Sequence, residues 1–383
     1  MSVTFAQGFR ATGVTAGLKA SGKPDLAVVI NDGPDHAAAA VFTSNRIKAA
    51  PVLWSEEVLK TGAVKAVVLN SGGANACTGP EGFADTHRSA EHAANVLGLA
   101  PIDIAVCSTG LIGQRLPMDK IFAGIESAKQ ELSEDGGESA AIAIMTTDSV
   151  HKVATYEGAG FLVGGMAKGA GMLAPGLATM LVVITTDAVA DAHDLDNALR
   201  EATSRTFDRI DSDGCMSTND TVLVMASGAS GVRPPASELS LALEAVCADL
   251  ARQLIADAEG ATKDIRIDVV KAASEHDAVQ VGRAVSRSNL FKCAIHGEDP
   301  NWGRILAALG TTSAEFESDA IDVAINGVWV CKNSAPSQSP ENVSMKDREV
   351  VITISLNAGI DCATVWTNDL TAMYVHENSA YST

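Results

Sequence analysis

The sequence predicts a mixed α/β chain, and two observations carry that class. Short apolar stretches rich in β-branched residues recur and end in turn residues, as buried strands do. Long segments with apolar residues at helical spacing alternate with them. A length of 383 residues with 46% hydrophobic side chains allows a substantial core and suggests two or three domains.

The elements follow in order. Residues 63–72 (AVKAVVLNSG) and 102–110 (IDIAVCSTG) read as strands running into turns. Residues 86–99 place Ala90, Ala93, Ala94 and Leu97 at helical spacing, and Gly98 suits the helix end. Residues 132–139 (LSEDGGES), 228–238 (GASGVRPPASE) and 333–344 (NSAPSQSPENVS) read as surface connections. Residues 168–188 (KGAGMLAPGLATMLVVITTDA) join two textures. Gly169, Gly171, Pro175 and Gly176 are turn chemistry, whereas 177–184 is a short β-branched run with Thr179 inside it. Taken alone, a threonine there is a well-fitting strand residue with a satisfied hydroxyl. Residues 195–210 and 238–260 read as amphipathic helices, and the end of 297–306 (GEDPNWGRIL) turns helical after Asp299-Pro300-Asn301.

Charge and composition exclude several function classes. The formal net charge is −19, a field that repels phosphate backbones and anionic lipid, and aromatics make up only 4%. Nucleic acid and membrane surfaces are therefore poor partners. A small anionic substrate stays compatible, because one local Lys reverses the field in a pocket. No apolar run reaches membrane-spanning length, and the first residues show no basic region followed by an apolar one, which points to the cytoplasm. The cysteines Cys77, Cys107, Cys215, Cys247, Cys293, Cys331 and Cys362 are single and unpaired in spacing, as reduced thiols are. No C-x-x-C or H-E-x-x-H occurs, and His87 and His92 lie five apart, so no metal is expected.

Two motif matches fail on context. Residues 169–174 (GAGMLA) fit the loose dinucleotide fingerprint, but Pro175-Gly176 and a β-branched run follow where a helix is needed. Residues 208–220 (DRIDSDGCMSTND) have the wrong spacing for a calcium loop and no closing Glu.

Several blocks together resemble one family. They are VFTSNRIKAAPV (41–52), CSTGLIGQRLPMDK (107–120), MTTDS (145–149), GGMAKGAGMLAPGLATML (164–181), TTDA (185–188), STNDT (217–221), DAEGATK (257–263), GEDPNWGRIL (297–306) and ENSAYST (377–383). In that order they resemble the bifunctional-type ornithine acetyltransferases, also called glutamate N-acetyltransferases. The similarity runs from about the first ten residues to the last.

The resemblance implies a layered α/β fold of the Ntn-like, self-processing kind, with flanking helices. It implies a cut between Ala178 and Thr179, giving an α chain of residues 1–178 and a β chain of 179–383, two of each forming a heterotetramer. Thr179 becomes an N-terminal nucleophile whose own α-amine is its base, with an unperturbed pKa of about 7.7–8.0. The Gly/Pro loop ahead of it permits the backbone geometry of self-attack. The resemblance further assigns the oxyanion hole to Thr109 and Gly110, and substrate contacts to Thr146, Lys168, Thr179, Glu259, Asn378 and Thr383. On residues alone, Glu259 reads as the acidic end of a surface helix and Thr383 as a frayed terminus. Gly73 stands where the family often has Asn, and Ala170 where many members have Ser; neither position is expected to touch a catalytic one.

The expected reaction transfers acetyl from N2-acetyl-L-ornithine to L-glutamate in arginine biosynthesis, with no cofactor. Whether acetyl-CoA is also a co-substrate is not written in the residues. Two rival readings stand beside it: a related self-cleaving aminopeptidase or amidase, which shares the nucleophile but passes the acyl group to water, and a processed but non-catalytic binding protein.

Overall fold

The computed structural model describes residues 2–174 and 180–380. In chain order the elements are β1 (Phe9–Val14), β2 (Leu26–Asn31), β3 (Ala38–Phe42), α1 (Ala50–Leu59), β4 (Ala66–Asn70), α2 (Gly79–Leu97), β5 (Ile104–Ser108), α3 (Met118–Glu131), α4 (Gly137–Ala143), β6 (Lys152–Glu157), β7 (Leu162–Lys168), β8 (Leu181–Thr186), α5 (Ala192–Arg205), β9 (Thr221–Ala226) and α6 (Ala236–Ala256). They continue with β10 (Asp264–Ala272), α7 (Glu275–Ser286), α8 (Asn289–His296), α9 (Trp302–Leu309), β11 (Asp322–Ile325), β12 (Val328–Lys332), β13 (Ala335–Pro336), β14 (Glu349–Ser355), β15 (Asp361–Asn368) and α10 (Ala372–Ala380). The chain divides into two compact units. Residues 2–208 and 215–257 form the first, and residues 209–214 and 258–380 the second.

The first unit contains two sheets, ordered β1-β2-β4-β5 and β3-β9-β8-β7-β6. The strands alternate by residue, and the alternation builds four layers. In β2 and β4, Ala27, Val29, Val67 and Leu69 join a core that also takes Met166, Leu181, Val183, Leu223 and Met225 from the other sheet. The intervening Leu26, Val28, Ile30, Ala66 and Val68 turn the opposite way, against Ala93 and Ala94 of α2 and Ile121, Ile125 and Ala128 of α3. Helices α5 and α6 pack on the outer face of the five-stranded sheet. The sheets are thus sandwiched face to face, with helices outside each. Within them β4–β5 and β8–β9 are parallel, and the remaining pairs antiparallel.

The second unit is a six-stranded sheet in the order β13-β12-β11-β14-β10-β15, with only β10–β14 parallel. Ile265, Ile267 and Val269 of β10 face Ala278, Val281 and Val285 of α7, and the alternate Arg266 and Asp268 bond to each other at 3.0 Å on the other face.

Several boundaries differ from the sequence reading. Residues 132–139 are not wholly a surface connection. Gly136 and Gly137 are buried, Gly137 opens α4, and a Cβ at Gly136 would lie 1.8 Å from the Ala11 carbonyl oxygen. The glycines there serve a close approach to β1, not solvent. The helix expected over 195–210 is shifted back: Asp191 caps its first turn by accepting from the Asp194 N–H at 2.9 Å, and Thr206 leaves helical geometry at φ −123°, ψ −84°. The strand expected over 177–184 appears as β8 from Leu181, and 177–179 lie outside the described residues.

Candidate active site

Strands β4 and β5 run parallel and end together, so their following turns meet. The Thr109 N–H donates to the Asn70 carbonyl at 2.9 Å, and the Gly73 N–H donates to the Thr109 carbonyl at 3.0 Å. Asn70 braces both turns: its Nδ2 donates to the Gly73 carbonyl at 3.0 Å, and its Oδ1 accepts from the Ser108 hydroxyl at 2.5 Å. Gly110 has φ 126°, and a Cβ there would lie 2.8 Å from the Gly73 nitrogen, so only glycine fits. Position 73, expected from sequence to touch no catalytic position, thus lies against the two residues that the resemblance assigns to the oxyanion hole. Gly73 is bonded to Thr109 and packs against Gly110, because the β4 and β5 turns are neighbours.

Thr109 is 2% exposed. Its hydroxyl oxygen accepts from Lys168 Nζ at 3.3 Å. Among the described residues its hydroxyl hydrogen has no acceptor, and neither has the Gly110 N–H. Two donors thus stand side by side at the end of one strand, one of them polarised by an ammonium group.

Lys168 ends β7 and is buried. Behind it lies Asp148, which gathers four groups. Its Oδ1 accepts from Lys152 Nζ and from the Gly169 N–H, both at 2.7 Å; its Oδ2 accepts from the Thr146 N–H at 2.9 Å and from the Thr146 hydroxyl at 3.5 Å. Lys152 also donates to Asp257 Oδ2 at 2.6 Å. Burial alone would raise the Asp148 pKa, but the positive charges of Lys168 and Lys152 overcome it and hold the carboxyl at about 2. Lys19, bonded to the Met145 carbonyl at 2.7 Å, is driven the other way, down to about 8, by burial first and by repulsion from Lys168 among its further causes.

β7 ends at Lys168 and β8 begins at Leu181, and Lys168 and Leu181 are register partners. The start of β8 is held by residues 217–221. The Met180 N–H donates to Asp220 Oδ1 at 3.1 Å, and the Met180 carbonyl accepts from the Thr221 N–H at 3.2 Å. Asn219 Nδ2 donates to the carbonyls of Ala74 and Ser108 at 2.6 and 2.7 Å. One short segment therefore fastens the start of β8 to the turn that carries Thr109.

In the second unit, Asn378 Nδ2 donates to Glu259 Oε2 at 3.0 Å. Glu259 stands beyond the end of α6 and lines a cavity of about 230 Å³ together with Arg287, Lys292, Asn368, Asp369 and Tyr374. Lys292 is lowered to about 8 by burial; its Nζ bonds the Ser212 carbonyl at 2.5 Å and the Thr367 hydroxyl at 2.9 Å.

Of the residues implicated from sequence, Thr109, Gly110, Lys168 and Thr146 cluster in the first unit, and Glu259 and Asn378 pair in the second. Ala178, Thr179 and Thr383 lie outside the described residues. Asp148 and Asp220 were missed. Both sat in blocks that carried the resemblance, MTTDS and STNDT, but an Asp between small polar residues reads as a turn until its burial is seen. Among the described residues no helix is long and apolar enough to cross a membrane.

The sequence signature of the ArgJ family matches residues 10–383. The arginine biosynthesis bifunctional protein ArgJ of Streptomyces coelicolor is 66% identical over 382 residues, covering the whole of both chains. The protein of the same name from Thermobifida fusca is 62% identical over 383 residues, again over all of both. Among solved structures, the ornithine acetyltransferase of Mycobacterium tuberculosis, complexed with ornithine, is 56% identical over 47% of this chain and 96% of its own, with a TM-score of 0.44.

Proposed function

This chain is an enzyme of the ArgJ family, and from that premise we propose that it moves acetyl from N2-acetyl-L-ornithine to L-glutamate through an acetyl-Thr179 intermediate, giving ornithine and N-acetylglutamate for arginine biosynthesis. The supporting observation is the paired donors at Thr109 and Gly110, backed by Lys168 at 3.3 Å.

The chemistry runs in two halves. The chain first cuts itself between Ala178 and Thr179, which frees the Thr179 α-amine. That amine takes the proton of the Thr179 hydroxyl as the oxygen attacks the acetyl carbonyl. The Thr109 hydroxyl and the Gly110 N–H receive the oxyanion of the tetrahedral intermediate, a stabilisation typically worth roughly 2.7–4 kcal/mol per donor. Collapse expels ornithine, whose nitrogen takes the proton back. The glutamate amine then repeats the steps in reverse. Thr146, Lys168, Glu259, Asn378 and Thr383 are the proposed contacts to the amino acid substrates, Lys168 to a carboxylate and Glu259 to an amine. No cofactor is needed. The word bifunctional in the relatives' names supports acetyl-CoA as a second acetyl donor. The proposed assembly is two copies of each fragment, in the cytoplasm.

An assay with acetylornithine and glutamate tests this. Expected are ornithine and N-acetylglutamate in equal amounts, with parallel double-reciprocal plots because ornithine leaves before glutamate enters. Release of acetate without N-acetylglutamate would make the protein an amidase, and binding without turnover would reject the enzyme reading altogether.

A further inference from the structure

The proposed reaction takes up two differently charged amino acids. N2-acetyl-L-ornithine brings a carboxylate and a side-chain ammonium, and Lys168 and Glu259 are the contacts proposed for them. Glutamate brings two carboxylates, and its amine is the reacting group. One carboxylate of the acceptor is therefore left without a cation, and the first unit holds a cation left without a carboxylate.

That cation is Lys19, which is half-buried. Its Nζ donates to the Pro24 carbonyl at 2.9 Å and to the Met145 carbonyl at 2.7 Å. An ammonium has three donors, and among the described residues Lys19 forms no ion pair. Asp25, the nearest acidic residue in sequence, is completely buried and committed to the backbone. Its Oδ1 accepts from the Ala16 N–H at 2.7 Å, and its Oδ2 from the Leu18 and Lys19 N–H groups at 2.6 and 2.9 Å. The backbone of Lys19 is thus pinned, while its charge, partly withdrawn from water, touches no carboxylate, a costly state.

The position of Lys19 ties it to the site. The peptide group between Met145 and Thr146 is gripped at both ends. Lys19 Nζ takes its carbonyl, and Asp148 Oδ2 takes its N–H at 2.9 Å. The same carboxylate holds the Gly169 N–H, next to Lys168, through Oδ1 at 2.7 Å. On its other side the Lys19 segment meets the turns that carry the oxyanion donors. A Cβ at Gly72 would lie 2.2 Å from the Leu18 Cβ, and a Cβ at Gly110 would lie 3.3 Å from the Gly72 carbonyl carbon. Lys152, also buried beside Asp148, is already paired with Asp148 and Asp257.

We infer that Lys19 is the specificity residue for the acceptor: its ammonium binds the side-chain carboxylate of glutamate. This deepens the proposed transfer and rests on it.

Wild type, Lys19→Met and Lys19→Gln are compared in two reactions. One is exchange of labelled ornithine with acetylornithine, which needs no glutamate. The other is acetyl transfer to glutamate or to its neutral isostere glutamine. Lys19→Met is expected to lose about 10–100-fold in kcat/KM for glutamate, the scale of one charge-assisted hydrogen bond, and at least about tenfold more than it loses in exchange. Its preference for glutamate over glutamine should shrink with that loss, which a merely structural lysine would not cause. Equal losses in exchange and transfer, or an unchanged preference, overturn the inference and leave the transfer reading intact. Lys19→Gln keeps N–H donors for the two carbonyls without the charge, so it decides in the same way should Lys19→Met not fold. A wild type that makes no N-acetylglutamate fails the proposed function itself, and this inference with it.

Discussion

At the residue scale the site is governed by how few groups share each proton. The Thr109 hydroxyl takes one hydrogen bond from Lys168 and is left with its hydrogen to give. If that hydrogen meets an oxyanion, its value appears only in the transition state. Thr109→Ala should then lower kcat by on the order of 10²–10³ with little change in KM, and Thr109→Ser should recover most of it. A role limited to capping the turn predicts the opposite pattern, a lower melting temperature with normal turnover. Asp148 supports a second prediction. Its pKa is depressed to about 2, so it contributes stability in full above the unfolded value of about 3.9, and that contribution is lost as pH falls from about 4 through about 2. The sum at neutral pH is on the order of 2 kcal/mol. Urea unfolding of Asp148→Asn should show lower stability than wild type at pH 7 and a smaller further loss between pH 4 and pH 2. Equal acid slopes for the two proteins would remove Asp148 from the account.

At the element scale the turn after β5 is the part that tolerates least. Gly110→Ala places a methyl 2.8 Å from the Gly73 nitrogen at a φ of 126°. It should cost about 1–3 kcal/mol of stability through backbone strain and reduce acetyl transfer, whereas Ala170→Ser, in the Gly/Pro loop, should leave transfer near wild type. Unimpaired transfer by Gly110→Ala would show that this backbone does not position a catalytic donor. Much of the local structure around the turn was legible in the sequence. β4 and β5 announce themselves through β-branched runs, and Gly98 ends α2 at φ 76°, as its position suggests. The helix termini were less legible, since the cap Asp191 is an ordinary polar residue until its carboxylate is seen to accept an N–H. Strand order was not legible at all. β3 pairs with β9 across about 180 residues of chain, and β8 with β9 in parallel, and neither pairing leaves a mark on local periodicity. The same holds for the site: Thr109 and Lys168 came from a specific motif, while Asp148 and Asp220 acquire meaning only from partners far along the chain.

At the scale of the whole molecule the proposed cut does not follow the division into units. Residues 2–174 and 180–257 share the first unit apart from a short exchange at 209–214, and the five-stranded sheet takes β3, β6 and β7 from before the cut and β8 and β9 from after it. β7 and β8 are adjacent, in register from Val163–Thr186 to Lys168–Leu181, and Met166 and Val183 are buried in one core. Cutting the connection between them removes a covalent tether but none of these contacts. The fragments should therefore co-elute in native size-exclusion chromatography and separate only in denaturant. The tether's loss shows elsewhere. In the intact chain, closing a loop of this length has a fixed entropic cost, while in the cut chain the two fragments must find each other again after unfolding, so association becomes part of the folding equilibrium. The melting temperature of the cleaved protein should accordingly rise with protein concentration more steeply than that of uncleaved Thr179→Ala. Fragments that separate under native conditions would show that the shared sheet is not what holds them, and identical concentration dependence would show that the cut has no thermodynamic consequence for it.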